Sequence, residues 1–237
     1  MYYTFCNEVY ARWLTVLVHS LRRVDRSTPI MVHFIGGAAS VERDLAGLGG
    51  ITIEAPRILP PPSTSLPDLL QIRAENALLV ARKYKYDWLM VLDADLLVRR
   101  PLTRLVKAMA LYDFGAVIRG SANGEELPPH LQVSAALYIL TKHGLPVLER
   151  AVELMSSNCH LRGIHRGEWY WEQACLAESV LTSDLRIRTI PREIYLSSRP
   201  YDPRATVWNG NFSGERKQAA LKLFEAELKH LAGRSHQ

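Results

Sequence analysis

The chain has 237 residues, a net charge of +5 and 22% charged residues. That length holds one large domain or two small ones, and 48% apolar residues supply a buried core, which excludes a disordered or fibrous chain. Lysine and arginine are scattered with no long basic block. This argues against a nucleic-acid-binding arm and leaves an anionic small substrate or an anionic membrane surface as fitting partners.

The cysteines are Cys6, Cys159 and Cys175, an odd number without Cys-x-x-Cys spacing. The pattern suits a reducing compartment better than a disulfide framework. The N-terminus has no basic leader followed by an apolar run, so it is not read as a signal peptide. No stretch approaches the roughly 18 uninterrupted apolar residues of a membrane span. The expected location is cytoplasmic, with peripheral contact at a membrane left open.

In chain order, Tyr2 to Cys6 reads as a short buried strand. Tyr10 to Val24 carries Leu14, Leu17, Val18 and Leu21 at helical spacing. Ile30 to Ile35 is a second strand, Val41 to Leu48 a short helix, and Ile51 to Ile53 a third strand. Pro56 to Pro67 is a proline-rich loop. Asp68 is placed to cap a helix over Leu69 to Lys85, whose apolar face is Leu70, Ala74, Ala77, Leu78 and Ala81. Trp88 to Leu92 is a fourth strand. Further on, Phe114 to Ile118 and Val133 to Leu140 read as strands, and Leu145 to Met155 and Glu172 to Leu181 as helices. Ser156 to Trp171 reads as a loop. A tail helix from Glu215 to Leu231 sets Leu221, Phe224, Leu228 and Leu231 on one stripe, with Gly233 as a stop signal. Its charge is mixed, so the stripe reads as packing or a homodimer contact rather than a membrane anchor. Strands alternating with helices at this rhythm predict a doubly wound α/β sheet, in which ligands bind at the carboxyl ends of the strands.

Asp93 and Asp95 stand at such an end, after the apolar run Trp88 to Leu92. Two carboxylates with one spacer make a hard-oxygen chelate suited to Mn²⁺ or Mg²⁺, an ion that bridges protein carboxylates to substrate phosphates. The plainer reading is two aspartates in a tight turn, paired with Arg99 and Arg100. A haloacid-dehalogenase-type phosphatase also uses Asp-x-Asp after an apolar strand. Its motif sits on the first strand and continues to Thr or Val, whereas here three strands precede and Leu97 holds that place.

The order FCNEVY, QIRAENALLVARKY, WLMVLDADLLVRRPL resembles the GT-A-fold glycosyltransferases, and within them the glycogenin-like and lipopolysaccharide-galactosyltransferase-like retaining family. The resemblance covers about Tyr2 to Lys217. It implies a mixed, mainly parallel α/β sheet flanked by helices and one domain over 1–237. That domain would have a nucleotide-binding half (1–100), an acceptor-side half (101–217) and a C-terminal helix (218–237). It implies transfer of a sugar from a nucleotide diphosphate sugar, a UDP-sugar, to an acceptor hydroxyl with retention. The acceptor class stays open between glycan, lipid-linked sugar and protein.

By this resemblance Asp93 and Asp95 hold the metal against the diphosphate. The family's His-Phe-x-Gly-x-x-Lys reads Asn211-Phe-Ser-Gly214-Glu-Arg-Lys217 here, so Asn211 replaces a third metal ligand and Lys217 meets the diphosphate. The Pro-Trp that usually follows the lysine is missing. Taken alone, this segment reads equally as a loop and helix start capped by Ser213. Glu172 and Gln173 match an acidic residue and glutamine that orient donor sugar and acceptor or stabilise charge at the anomeric carbon. An ordinary helix start, with Glu172 favouring the macrodipole, explains the same pair. Arg73 matches a residue that reaches the donor, or is a solvated helix arginine. Cys6, Asn7 and Tyr10 lie where the family grips base and ribose. Ser134, Ala135 and Ala136 replace a sugar-contacting Asn-x-Gly, which leaves the donor sugar open. The spacing in Asn158 to Trp169 fits no standard zinc pattern. That stretch is read as an acceptor-facing loop in which Trp169, Tyr170 and Trp171 stack on sugar or pack in the core. Two further readings remain. A sugar-nucleotide nucleotidyltransferase would need a Gly-rich loop that FCNEVYAR lacks, and a non-catalytic nucleotide-sugar-binding module would tolerate a weakened metal site.

Overall fold

Apolar runs become strands and amphipathic runs become helices, in the order β1 (Tyr2–Asn7), α1 (Ala11–Val24), β2 (Ile30–Ile35), α2 (Ala39–Asp44), β3 (Ile51–Glu54), α3 (Leu66–Lys83), β4 (Leu89–Asp93), β5 (Leu96–Val98) and α4 (Thr103–Ala108). The rest are β6 (Phe114–Ile118), β7 (Val133–Leu140), α5 (Leu145–Ser157), β8 (His160–Leu161), β9 (Ile164–His165), α6 (Trp171–Leu181), β10 (Ile187–Thr189), β11 (Tyr195–Leu196), β12 (Val207–Asn209) and α7 (Gly214–Arg234). The computed structural model describes residues 1–60, 65–118, 128, 132–191, 194–196, 202–210 and 214–234. The fold is mixed α/β on a mainly parallel seven-stranded sheet. The chain divides into two compact units, Met1–Ala55 with Leu92–Leu105 and Pro191–Gln237, and Pro56–Val91 with Val106–Ile190.

In the first unit the strand order is β4-β1-β2-β3. β1, β2 and β3 are parallel, with Tyr2 opposite Ile30 and Ile30 opposite Ile51. The α1 stripe Leu14, Leu17, Val18 and Leu21 is fully buried, as its spacing predicts. α2 is shorter than expected and ends at Asp44, because glycines at 47, 49 and 50 are poor helix formers. A second sheet, β11-β12-β5, was not visible in the sequence pattern. Its strands are two or three residues long, too short to show a period. Trp13, Leu97, Trp208, Leu221 and Phe224 form its core, with the Trp13 and Phe224 rings edge-on at 5.5 Å. α7 runs one residue past Gly233.

In the second unit the order is β10-β6-β7-β4, β4 being common to both units because the division falls within it. β6 and β7 are antiparallel, Phe114 opposite Leu140, with an irregularity between Ala116 and Val117. β7 is buried at every position, so it reads as a continuous apolar run instead of alternating. α3, α5 and α6 pack on one another. α3 starts three residues before the expected Leu69, and its cap is Ser65 instead of Asp68. The Ser65 hydroxyl accepts from Asp68 N at 3.4 Å and donates to the Asp68 carboxylate at 2.5 Å. Asp68 therefore takes the third helical position, where Ser65 caps its backbone N–H, and Pro67 sits in the first turn, where its missing N–H costs nothing.

Candidate functional site

β4 delivers Asp93, half-buried, to its carboxyl end, and a two-residue turn through Ala94 places Asp95 just beyond, 7% exposed. The turn is held from behind. β5 pairs with β12, Leu96 opposite Asn209, and Gly210 N donates to Asp95 O at 2.8 Å. Only glycine fits at 210: a Cβ there would lie 2.6 Å from the Trp13 ring and 3.1 Å from Asp95 O.

Asp95 Oδ2 accepts from Lys217 Nζ at 2.9 Å. Lys217 Nζ also donates to Tyr10 Oη at 3.0 Å and sits over the Tyr10 ring at 4.4 Å and the Trp13 ring at 5.6 Å. Burial alone would lower the pKa of this ammonium. The Asp95 charge and the hydrogen bonds to Asp95 and Tyr10 outweigh it, and the net shift is upward. Lys217 thus stays a cation, fixed in the first turn of the helix that Gly214 opens.

Arg99 is spent elsewhere, on Glu227 at 2.9 Å, on the Pro203 carbonyl and over the Trp208 ring at 4.2 Å, while Arg100 donates to Pro203 O at 3.3 Å. At the end of β1, Asn7 Oδ1 is buried with no hydrogen-bond partner among the described residues. Glu8 Oε1 accepts from Gly37 N at 2.8 Å, and Val9 is 82% exposed beside them. Cys6 is buried in β1, which pushes its thiol up to about 12, so it stays protonated and offers no thiolate.

The second unit brings together Arg73 of α3 and Glu172 of α6. Arg73 Nη2 lies 2.8 Å from Glu172 Oε2 and 2.9 Å from Oε1, and also donates to Ala135 O of β7 at 3.1 Å. Both side chains are about 95% buried. Burial pushes the Glu172 carboxyl up, and Arg73 pulls it part of the way back. The pair ties α3, α6 and β7 together and fixes the start of α6, where Gln173 is half-buried. Ser134, Ala135 and Ala136 are buried in β7. Trp171 is a core residue whose indole donates to Met155 O at 3.3 Å, whereas Trp169 and Tyr170 are exposed.

The structure therefore groups Tyr10, Asp95 and Lys217 in one cluster and Arg73 with Glu172 in another. Asn211 lies outside the described residues. Sequence reasoning missed Gly210 and Trp13 as supports of Asp95. The only signal was a glycine directly after an apolar strand. Among the described residues, no group of three or more His, Cys, Asp or Glu side chains could hold a metal ion.

No family model matches the chain, and no curated protein matches it. Solved structures do. The fold is that of the GT-A-type glycosyltransferases. It is similar to the bifunctional glycosyltransferase WbbM, with a TM-score of 0.62 at 10% identity, over 97% of this chain and 51% of that one. This chain thus spans about half the length of WbbM. It is similar to the galactosyltransferase LgtC, solved with donor and acceptor sugar analogues, with a TM-score of 0.61 at 16% identity, over 97% of this chain and 96% of that one. It is also similar to the glycosyltransferase GlyE of Streptococcus pneumoniae TIGR4, with a TM-score of 0.62 at 13% identity, over 99% and 64%.

Proposed function

We propose that the chain is a glycosyltransferase that moves a sugar from a nucleotide diphosphate sugar, a UDP-sugar, to an acceptor hydroxyl with retention. The observation that carries this reading is the Asp95–Lys217–Tyr10 cluster at the end of β4 in a GT-A fold. Anionic leaving groups are stabilised by fixed cations aimed at the charge that develops. Lys217 is such a cation, held by two partners.

The donor set at Asp93 and Asp95 is hard oxygen, and the hydrogen bond from Lys217 falls on Oδ2 of Asp95. Two carboxylates with the rest of the shell from substrate phosphates and water suit Mn²⁺ or Mg²⁺, so the residues fit the ion. Asp93 and Asp95 would hold it, and Asn211 is the third candidate. When bound, the ion supplies Lewis-acid neutralisation of the diphosphate. In the reaction the bond between the anomeric carbon and the diphosphate oxygen breaks, and its electron pair leaves with the nucleotide. The acceptor oxygen bonds to that carbon and loses its proton. Lys217 meets the departing diphosphate. Asn7, whose buried oxygen has no hydrogen-bond partner among the described residues, Tyr10 and the β1 end around Cys6 are assigned to the nucleoside. Glu172 and Gln173 are assigned to the sugar and acceptor. Glu172 acts by holding α6 in place through Arg73, and Gln173 makes the contact.

Measuring UDP release from UDP-sugars with Mn²⁺ tests the reading. It predicts turnover that is lost in Asp95→Asn. Tight UDP binding without turnover, with candidate acceptors present, would replace it with a nucleotide-sugar-binding module. An inverted product linkage would remove the retention step alone.

A further inference from the structure

The stretch Asn158 to Trp169 plays no part in the reaction above, yet it has a defined structure. β8 and β9 form a hairpin around Arg162 (φ +50) and Gly163 (φ +80), both left-handed, as the two-residue turns that match strand twist require. Arg166 N donates to Cys159 O at 2.9 Å, so that position is hydrogen-bonded. His160 and His165, paired one step further in, therefore face each other at a non-hydrogen-bonded position, where cross-strand side chains stand closest. Both are exposed, with ring centroids 4.7 Å apart at an interplanar angle of 49°. Neither ring has a hydrogen-bond partner among the described residues.

Two imidazoles bound to one tetrahedral ion at about 2.0–2.1 Å per nitrogen have ring centres about 5 Å apart. The observed separation is close to that. Imidazole suits zinc, nickel and copper, whereas Mg²⁺ and Mn²⁺ prefer carboxylate oxygen. We propose that His160 and His165 form a two-ligand site for a divalent transition-metal ion of the zinc, nickel and copper group. It is chemically distinct from the carboxylates Asp93 and Asp95 and does not depend on the transferase reading. No third protein ligand joins the pair among the described residues, so water completes the shell and the ion is exchangeable. An isolated hairpin of this size is marginally stable, and an ion across it joins its two strands. The effect passes to α6 through Glu168, whose Oε1 accepts from His165 N at 3.0 Å and whose carbonyl accepts from Trp171 N at 3.0 Å.

The test is a calorimetric titration of the chelator-treated full chain with ZnCl₂, alongside amide hydrogen exchange. One equivalent of Zn²⁺ is expected to bind the unaltered chain and to be lost in His160→Gln and in His165→Gln. Cys159→Ser and His143→Gln should retain it. Zn²⁺ should slow exchange at the Arg166 amide only where both histidines are present. Both histidines are exposed, so circular dichroism should show the variants folded. The proposal is overturned by no binding to the unaltered chain, by an equivalent that persists in both histidine variants, or by its loss in Cys159→Ser.

Discussion

Lys217 and Asp95 lie 122 residues apart in sequence and meet at 2.9 Å beyond the end of β4. The meeting needs three elements at once: β4 to end at Asp93, β12 to hold the turn through Gly210, and α7 to start at Gly214. The ammonium is thus fixed before any substrate arrives, so in the proposed transfer it would need little reorganisation.

Lys217→Met is accordingly expected to lower kcat about 10²–10³-fold, the usual cost of removing one preorganised electrostatic donor. Steady-state kinetics of UDP release measure it, and an unchanged kcat would remove Lys217 from the reaction. Because the folded pKa is raised above the ordinary 10.5, the contribution is complete below that value and is lost as pH rises through the raised one. The rate should therefore show no alkaline limb from Lys217 below about pH 10.

Much of the scaffold is legible in sequence, because β1, β2, β4 and β7 are long apolar runs and α1 has a clean stripe. Asp93 and Asp95 are legible for the same reason: charges end an apolar strand. The support behind them is not. β5 and β12 are too short for a period, and their pairing joins segments over a hundred residues apart, which no local window contains. Arg73 looks like a solvated arginine on its own helix. Its partner Glu172 is supplied by another helix 99 residues away.

Gly210→Ala tests that support. The added Cβ meets the Trp13 ring at 2.6 Å, and the Asp95 carbonyl blocks retreat, so something must shift. A loss of about 1–3 kcal/mol is expected in urea denaturation, together with reduced UDP release. Gly233→Ala is the control: its Cβ meets nothing within 4 Å, and it lies inside α7, so stability should hold or rise by up to about 1 kcal/mol. Equal behaviour of the two variants would contradict the close approach at 210.

The Arg73–Glu172 pair makes a different prediction. Arg73→Met leaves a carboxyl buried without its cation, which costs about 3–5 kcal/mol. In the variant burial alone acts on Glu172 and raises its pKa further. The folded state then binds more protons than the unfolded one, so stability should fall as pH rises above the ordinary 4.5. Arg73→Met with Glu172→Leu removes both charges and should recover part of the loss. Denaturation at pH 5 and pH 8 decides: a loss independent of pH, or a double variant with the summed losses of the single ones, counts against an ionised buried pair.

Asp113 carries the opposite sign. It lies in the chain just before β6, 6% exposed, and takes Arg186 on both oxygens, at 2.8 Å on Oδ1 and 3.1 Å on Oδ2. Hydrogen bonds from the Arg186 side chain are the main cause of a carboxyl held below the ordinary 3.8. Burial opposes them, and the Arg186 backbone N–H and His143 assist. A depressed carboxyl contributes stability that is present above its ordinary pKa and disappears as pH falls through the folded value. The bond also anchors the start of β10 beside β6, since Arg186 N donates to the same carboxylate and Arg186 O accepts from Asp113 N at 2.9 Å. Asp113→Asn keeps the shape and loses the charge. Its urea midpoint should drop relative to the unaltered chain at pH 7, and the difference should shrink by pH 3. A difference of equal size at both pH values would show that Asp113 acts through packing and neutral hydrogen bonds, without the ion pair.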